Sequence, residues 1–244
     1  MSRPTPDSPA WTLNVDNPYL HGLYGPTVHE SFAVDLPVEG ELPADLFGAY
    51  VRNGPNSVLQ PRNHYHWFDG DGMVHGVYFR DGRASYRSRL VPTAGLNDEL
   101  QKGEAIWNGI MGPLNLEGLD YRAKDTANTD VVWHNGKLYA LWYLCGEPYT
   151  LDPLTLQPTG VDDFGGERNT TVSAHPKVDE RTGEMVWFTL SDFEPPYLTY
   201  GVCDREGKLV HQVPIDLPGV RAPHDITITE NYSILHDFPF FQDP

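Results

Sequence analysis

The chain has 244 residues, with 17 Lys and Arg against 34 Asp and Glu, a formal net charge of −17. Phosphate and anionic lipid need a basic face, so this balance argues against nucleic-acid or membrane-surface binding and fits a self-repelling, solvated surface. Hydrophobic residues make up 39%, including 13 Tyr, 10 Phe and 6 Trp, enough to pack the core of one large all-β domain or two ordinary ones.

Residues 1–16 are rich in Pro and Ser and are expected to form a loose arm, with the folded portion running over 17–244. The first residues lack the apolar stretch of a secretory signal. The longest apolar run, 138–145, is far short of the roughly 20 residues a membrane span requires. Two cysteines, Cys145 and Cys203, do not make a disulfide framework, which points to a cytoplasmic protein.

From there the pattern is short β-type runs broken by Gly, Asp, Asn and Pro. Asp81-Gly82 separates 74–79 from 84–87, and Asn135-Gly136 separates 131–133 from 138–142. Both dipeptides predict hairpin turns, because each central position wants a positive φ. Between them one helix is expected near 97–107. Further strands are expected at 185–190, 198–203, 209–215, 224–229 and 233–236. Such a succession implies a sandwich, a barrel or a propeller, and no blade repeat distinguishes them.

Asp69-Gly70-Asp71-Gly72 has a calcium-loop look, but Gly falls at the wrong place and Arg80 takes the position of the closing Glu, so a tight turn is expected. No nucleophile elbow, Walker loop or dinucleotide fingerprint occurs. Two histidines carry more information. His175 lies in Ser173-Ala174-His175-Pro176-Lys177, and His224 opens His224-Asp225-Ile226-Thr227-Ile228-Thr229-Glu230. Ligands so far apart in sequence share a metal only if separate strands converge, and imidazole suits iron, copper, nickel or zinc alike.

Four segments follow one another in a telling order: Tyr50-Val51-Arg52-Asn53-Gly54-Pro55-Asn56, then His66-Trp67-Phe68-Asp69-Gly70-Asp71-Gly72, then Ala174-His175-Pro176-Lys177, then the His224 run. Together they resemble the carotenoid cleavage oxygenase family from about Asn17 to the last residue. Lys124-Asp125-Thr126-Ala127-Asn128-Thr129-Asp130 and the run from Pro148 to Leu156 resemble its stilbene-cleaving branch, which includes the lignostilbene dioxygenases.

That resemblance implies a seven-bladed β-propeller, of which this chain supplies about half the blades as the amino-terminal portion. It implies a ferrous iron, Fe(2+), held by four histidines, with His175 first, His224 second and the other two beyond Pro244. The 244 residues by themselves are then expected to be inactive. The implied activity is a dioxygenase that splits a carbon–carbon double bond of a phenolic stilbene or related styrene into two carbonyl products. The alternatives are an apocarotenoid substrate and a metal-free propeller used as a binding module. The branch also implies that Lys124 meets the phenolic oxygen. Its companion tyrosine has no clear counterpart, Tyr121 being a distant one. Tyr143 stands where the family often has a glutamate behind the second histidine, so either Glu147 swings in to replace it or this branch orients its second histidine differently. Oligomeric state is not legible.

Overall fold

The computed structural model describes residues 17–27, 29–62, 64–113, 123–143, 145–191 and 194–238. They divide into two compact units, one running up to Thr129 with Leu154–Gln157, the other comprising Asp130–Pro153 and the chain from Pro158 onward.

The first unit holds one antiparallel sheet of strands β1 (Phe32–Ala33), β2 (Gly48–Asn56), β3 (Asp71–Arg80) and β4 (Arg83–Leu90), in the order β1-β4-β3-β2. Asp81 and Gly82 join β3 to β4 with φ of 51° and 68°, the two left-handed positions the dipeptide predicts. The acidic run is not a simple tight turn, since Asp69 closes a short 3-10 helix, Trp67–Asp69, and Asp71-Gly72 open β3. His66 Nδ1 accepts from the Phe68 N–H, and the Asp69 carboxylate accepts from the His66 N–H.

Helix α1 spans Ala94–Lys102, earlier than the expected 97–107. Thr93 fixes its start by accepting the Leu96 N–H at 3.1 Å, and Gly103 closes it at φ 78°. Side-chain capping and a left-handed glycine satisfy backbone groups that a helix leaves open at its ends. The apolar pattern continuing toward Trp107 belongs to a loop that packs, not to a further turn of helix. Leu96 buries itself against Val58 and Leu59.

The second unit stacks two four-stranded sheets and a hairpin. The first sheet runs β5 (Asp130–His134), β6 (Lys137–Leu141), β7 (Tyr149–Leu151), β8 (Pro158–Val161) in sequence order. Asn135-Gly136 makes the expected turn between β5 and β6. The second sheet contains β9 (Lys177–Val178), β10 (Met185–Leu190), β11 (Leu198–Cys203) and β12 (Leu209–Ile215), again each beside its neighbour in sequence. β13 (Ile226–Ile228) and β14 (Ser233–Leu235) form the hairpin. The expected strands 224–229 and 233–236 are therefore shorter, and His224 precedes its strand.

β10 explains the packing. Its sequence, Met-Val-Trp-Phe-Thr-Leu, is a continuous apolar run instead of an alternation, as a strand covered on both faces requires. Successive side chains point to opposite faces. Met185 and Trp187 join Tyr139, Leu141, Phe164 and Cys203 on one side, while Val186 and Phe188 join Leu198 and Ile226 on the other. Gly201 faces Trp187 across the β10–β11 ladder, and a Cβ there would lie 2.2 Å from the indole. The ring fills the space a side chain would take.

At the edge of this core, Asp162 accepts from Lys137 Nζ and Tyr139 Oη, both at 2.7 Å, and from the Phe164 N–H at 2.9 Å. Burial pushes its carboxyl up, but these donors outweigh burial and hold it below the ordinary carboxylate range. Among the described residues no helix is long and apolar enough to cross a membrane.

Gly201→Ala is expected to destabilise the protein by about 1–3 kcal/mol, since overpacking forces a fully buried Trp off its position; urea denaturation would show it. Asp162 has a depressed folded pKa, so its contribution is present above the unfolded carboxyl value and is lost as pH falls through the folded one. Asp162→Asn should flatten the acid limb of the stability–pH curve, and an unchanged limb would assign that acid loss to other carboxylates.

Candidate metal centre

Three entries into first strands build the site, all in the second unit. Asp130 begins β5, His175 stands two residues before β9, and His224 stands two residues before β13. Residues at strand entries project from a fixed frame, and His175 and His224 also lie outside the ladder, which suits them to hold a ligand.

His175 adopts φ 67°, a left-handed conformation. Such a backbone in a non-glycine residue costs on the order of 1–3 kcal/mol and persists only when its surroundings impose it. Here Asp130 imposes it. One carboxylate oxygen, Oδ2, accepts the His175 peptide N–H at 3.0 Å and lies 3.3 Å from ring Nδ1. A carboxylate facing Nδ1 draws the imidazole proton to that nitrogen, which leaves Nε2 with its lone pair. Burial raises the Asp130 carboxyl, and the His175 hydrogen bonds outweigh it and hold the group below its ordinary range.

His224 lies beside His175, with ring centroids 5.2 Å apart and planes inclined by 26°. The phenol of Tyr143 stacks on the outer face of His224 at 3.9 Å and 19°, and Tyr143 Oη donates to the Ala222 carbonyl at 3.4 Å. Burial first, then the His175 ring, keeps the His224 imidazole below its usual pKa and so favours the neutral, ligating form. Lys177 Nζ donates to the His175 carbonyl at 2.8 Å and pairs with Asp225, the neighbour of His224.

The donor set fits part of a metal centre. Two imidazoles on one ion, with metal–nitrogen bonds of about 2.1 Å, set their centroids roughly 4.5–5.3 Å apart, and the observed separation falls within that span. Among the described residues no group of three or more His, Cys, Asp or Glu side chains forms a fuller metal site. The pair is therefore at most two ligands of such a site.

Glu147 pairs with an arginine. Its carboxylate meets Arg168 Nη2 at 2.5 Å. Tyr143, at the place expected for an acid, stacks on His224 instead, and the acid that orients a histidine is Asp130, beside His175. Sequence reading gave Asp130 no role. The signal open to it was an acid at a strand entry, and that does not reveal a partner 45 residues away.

Lys124 belongs to the first unit and is buried there between two acids. Its Nζ lies 2.5 Å from Asp71 Oδ1 and 2.6 Å from Glu99 Oε2. Burial lowers the lysine, but the two carboxylates outweigh it and hold the ammonium charged. Tyr121 lies outside the described residues. His75, half-buried and pushed down to about 4 by burial and Arg52, hydrogen-bonds Tyr86 at 2.6 Å. His66 caps the short 3-10 helix, accepting the Phe68 N–H at 3.2 Å.

Comparison with known proteins places these features in context. The family profile of the retinal pigment epithelial membrane protein, RPE65, matches residues 25–244. The carotenoid 9,10(9′,10′)-cleavage dioxygenase of Crocus sativus is 39% identical over 246 residues, covering 93% of this chain and 45% of the relative. Isoeugenol monooxygenase of Pseudomonas nitroreducens is 34% identical over 234 residues, covering 93% and 48%. Among solved structures, the lignostilbene dioxygenase of Pseudomonas brassicacearum superposes with a TM-score of 0.81 at 33% identity, over 90% of this chain and 47% of that one. The chain thus spans just under half the length of the relatives it matches. Its all-β class and four-stranded antiparallel sheets are those of the oxygenase propellers, about half of which it covers.

The Lys124 cluster yields a stability prediction. Lys124→Ala strands two buried carboxylates side by side, and losing one partner of a buried ion pair costs about 3–5 kcal/mol. Adding Glu99→Gln should restore part of the loss by removing the like-charge repulsion. Urea midpoints for the single and double variants would test this, and additive losses would mean that the two groups do not interact.

Proposed function

The chain belongs to the RPE65 family of carotenoid cleavage oxygenases, and from that premise we propose that it forms part of a non-haem iron(II) dioxygenase. The reaction proposed is cleavage of the carbon–carbon double bond of a phenolic stilbene or related styrene into two carbonyl products. The observation that carries this reading is the pairing of His175 with His224 at 5.2 Å, with Asp130 turning the His175 ring. His175 and His224 would hold the iron, together with ligands from outside these residues. When bound, iron supplies the redox chemistry with dioxygen that an organic side chain cannot. Both imidazoles are neutral donors, so they leave the cation's charge undiminished. The Tyr143 ring stacks on His224 and would hold that imidazole in place.

The preference for a phenolic alkene rests on isoeugenol and lignostilbene in the names of two relatives and on Lys124. An ammonium has three N–H donors. Glu99 accepts one of them and Asp71 pairs with the ammonium, and another is assigned to a phenolic oxygen. With two acids and one base the cluster is net negative, which disfavours a bare phenolate. The substrate would bind as a neutral phenol, accepting from Lys124 and donating its O–H to a carboxylate, which enriches the ring and the conjugated alkene in electrons.

An apocarotenoid substrate is the second reading, favoured by the higher identity to the Crocus sativus carotenoid enzyme. The complete enzyme separates the two. With Lys124→Met combined with Glu99→Gln, which leaves the cluster's net charge unchanged, 4-hydroxystilbene turnover should fall by about 2–4 kcal/mol in barrier, the worth of one positioned donor. The 4-methoxy analogue should be poor already and change little. Equal losses on both would make Lys124 structural and return the substrate to the carotenoid class.

A further inference from the structure

We propose that Asp130 and Lys177 are positioning residues that clamp His175 from both sides of its peptide, so that its ring meets His224 before any metal binds. This rests on the reading of His175 and His224 as ligands. It concerns residues that touch neither the metal nor the substrate.

The geometry supports the clamp from two independent directions. On the amino side, Asp130 Oδ2 takes the His175 N–H at 3.0 Å and faces ring Nδ1 at 3.3 Å, so one oxygen governs both the backbone and the ring. Asp130 is itself fixed at the entry of β5, where its other oxygen accepts the Val131 N–H at 2.8 Å. On the carboxyl side, Lys177 Nζ takes the His175 carbonyl at 2.8 Å and extends to Asp225. Asp225 is fixed in turn, its Oδ1 accepting the Ile226 N–H at 2.7 Å as β13 begins. The chain of contacts Asp130–His175–Lys177–Asp225 therefore joins the entries of β5, β9 and β13.

Three strand entries that belong to separate sheets are tied together without a metal. A left-handed residue before proline is otherwise unfavourable, since proline restricts the backbone of the residue preceding it. Release of either hold should let His175 relax toward an extended conformation and swing its ring off His224. Ordering the ligands in advance spares the metal that entropy, the general advantage of preorganisation.

The test uses the metal-free 244-residue chain, ¹⁵N-labelled at histidine, with nickel(II) as the probe ion. Wild type should show the Nδ1–H tautomer at His175, and His175→Ala should weaken nickel binding. Asp130→Ala should give mixed tautomers and lose about 10–100-fold in nickel affinity, the usual effect of removing a ligand's hydrogen-bond partner. Asp130→Asn keeps an acceptor for His175 and should retain the tautomer. Lys177→Met reads the other hold independently, with the tautomer kept and nickel affinity reduced. Wild-type nickel affinity in any folded Asp130→Ala or Lys177→Met variant would overturn the clamp. Indifference of nickel binding to His175→Ala would instead overturn the ligand reading beneath it.

Discussion

A single carboxylate oxygen, Asp130 Oδ2, sets the arrangement on which the centre depends. It holds a histidine in a conformation that the backbone would not choose and turns the ring of that histidine at the same time. Without that hold, a left-handed His175 is strain without compensation. With it, the ring lies 5.2 Å from His224, close enough for both to meet one ion. The site is thereby ordered by hydrogen bonds between strand entries, and a metal would arrive at ligands that are already placed.

Such order needs a stiff support, and β10 provides it. A strand buried on both faces lets the sheets on either side pack against one element, with Trp187 filling the space over Gly201. Close packing of this kind transmits position with little give. β9, where Lys177 stands, pairs directly with β10 through Lys177 and Val186. The clamp on His175 is thus anchored one strand away from the most tightly packed part of the second unit.

Charge is used differently in the first unit. The chain as a whole is strongly acidic, yet its most buried lysine is enclosed by two acids, Asp71 from the start of β3 and Glu99 from α1. A lysine so placed is not a bare cation waiting for an anion. It brings one unit of positive charge against two of negative, so the chemistry that it can support is donation to a neutral oxygen. Glu99 stands within α1, Ala94–Lys102, so the helix carries one of the two acids to the lysine.

Turns and long strands could be read from the sequence because their causes are local. Asp81-Gly82 and Asn135-Gly136 supply the positive φ values that a tight hairpin requires, and the run Met185–Leu190 is apolar enough to be a strand wherever it lies. The two histidine motifs were likewise visible, each within a few residues of chain. Helix α1 lies earlier than expected because Thr93 caps its start and Gly103 stops it, so the chain toward Trp107 runs on as a loop. The partners of the functional side chains were not legible at all. Asp130 meets His175 over 45 residues, Lys177 meets Asp225 over 48, and Lys124 meets Glu99 over 25. By itself the sequence determined which residues could ligate, turn or span, since these are properties of a residue and its neighbours. Only the tertiary structure decided which acid serves which histidine and what surrounds Lys124, because those pairings are set by strand order and register, which no local stretch of chain contains.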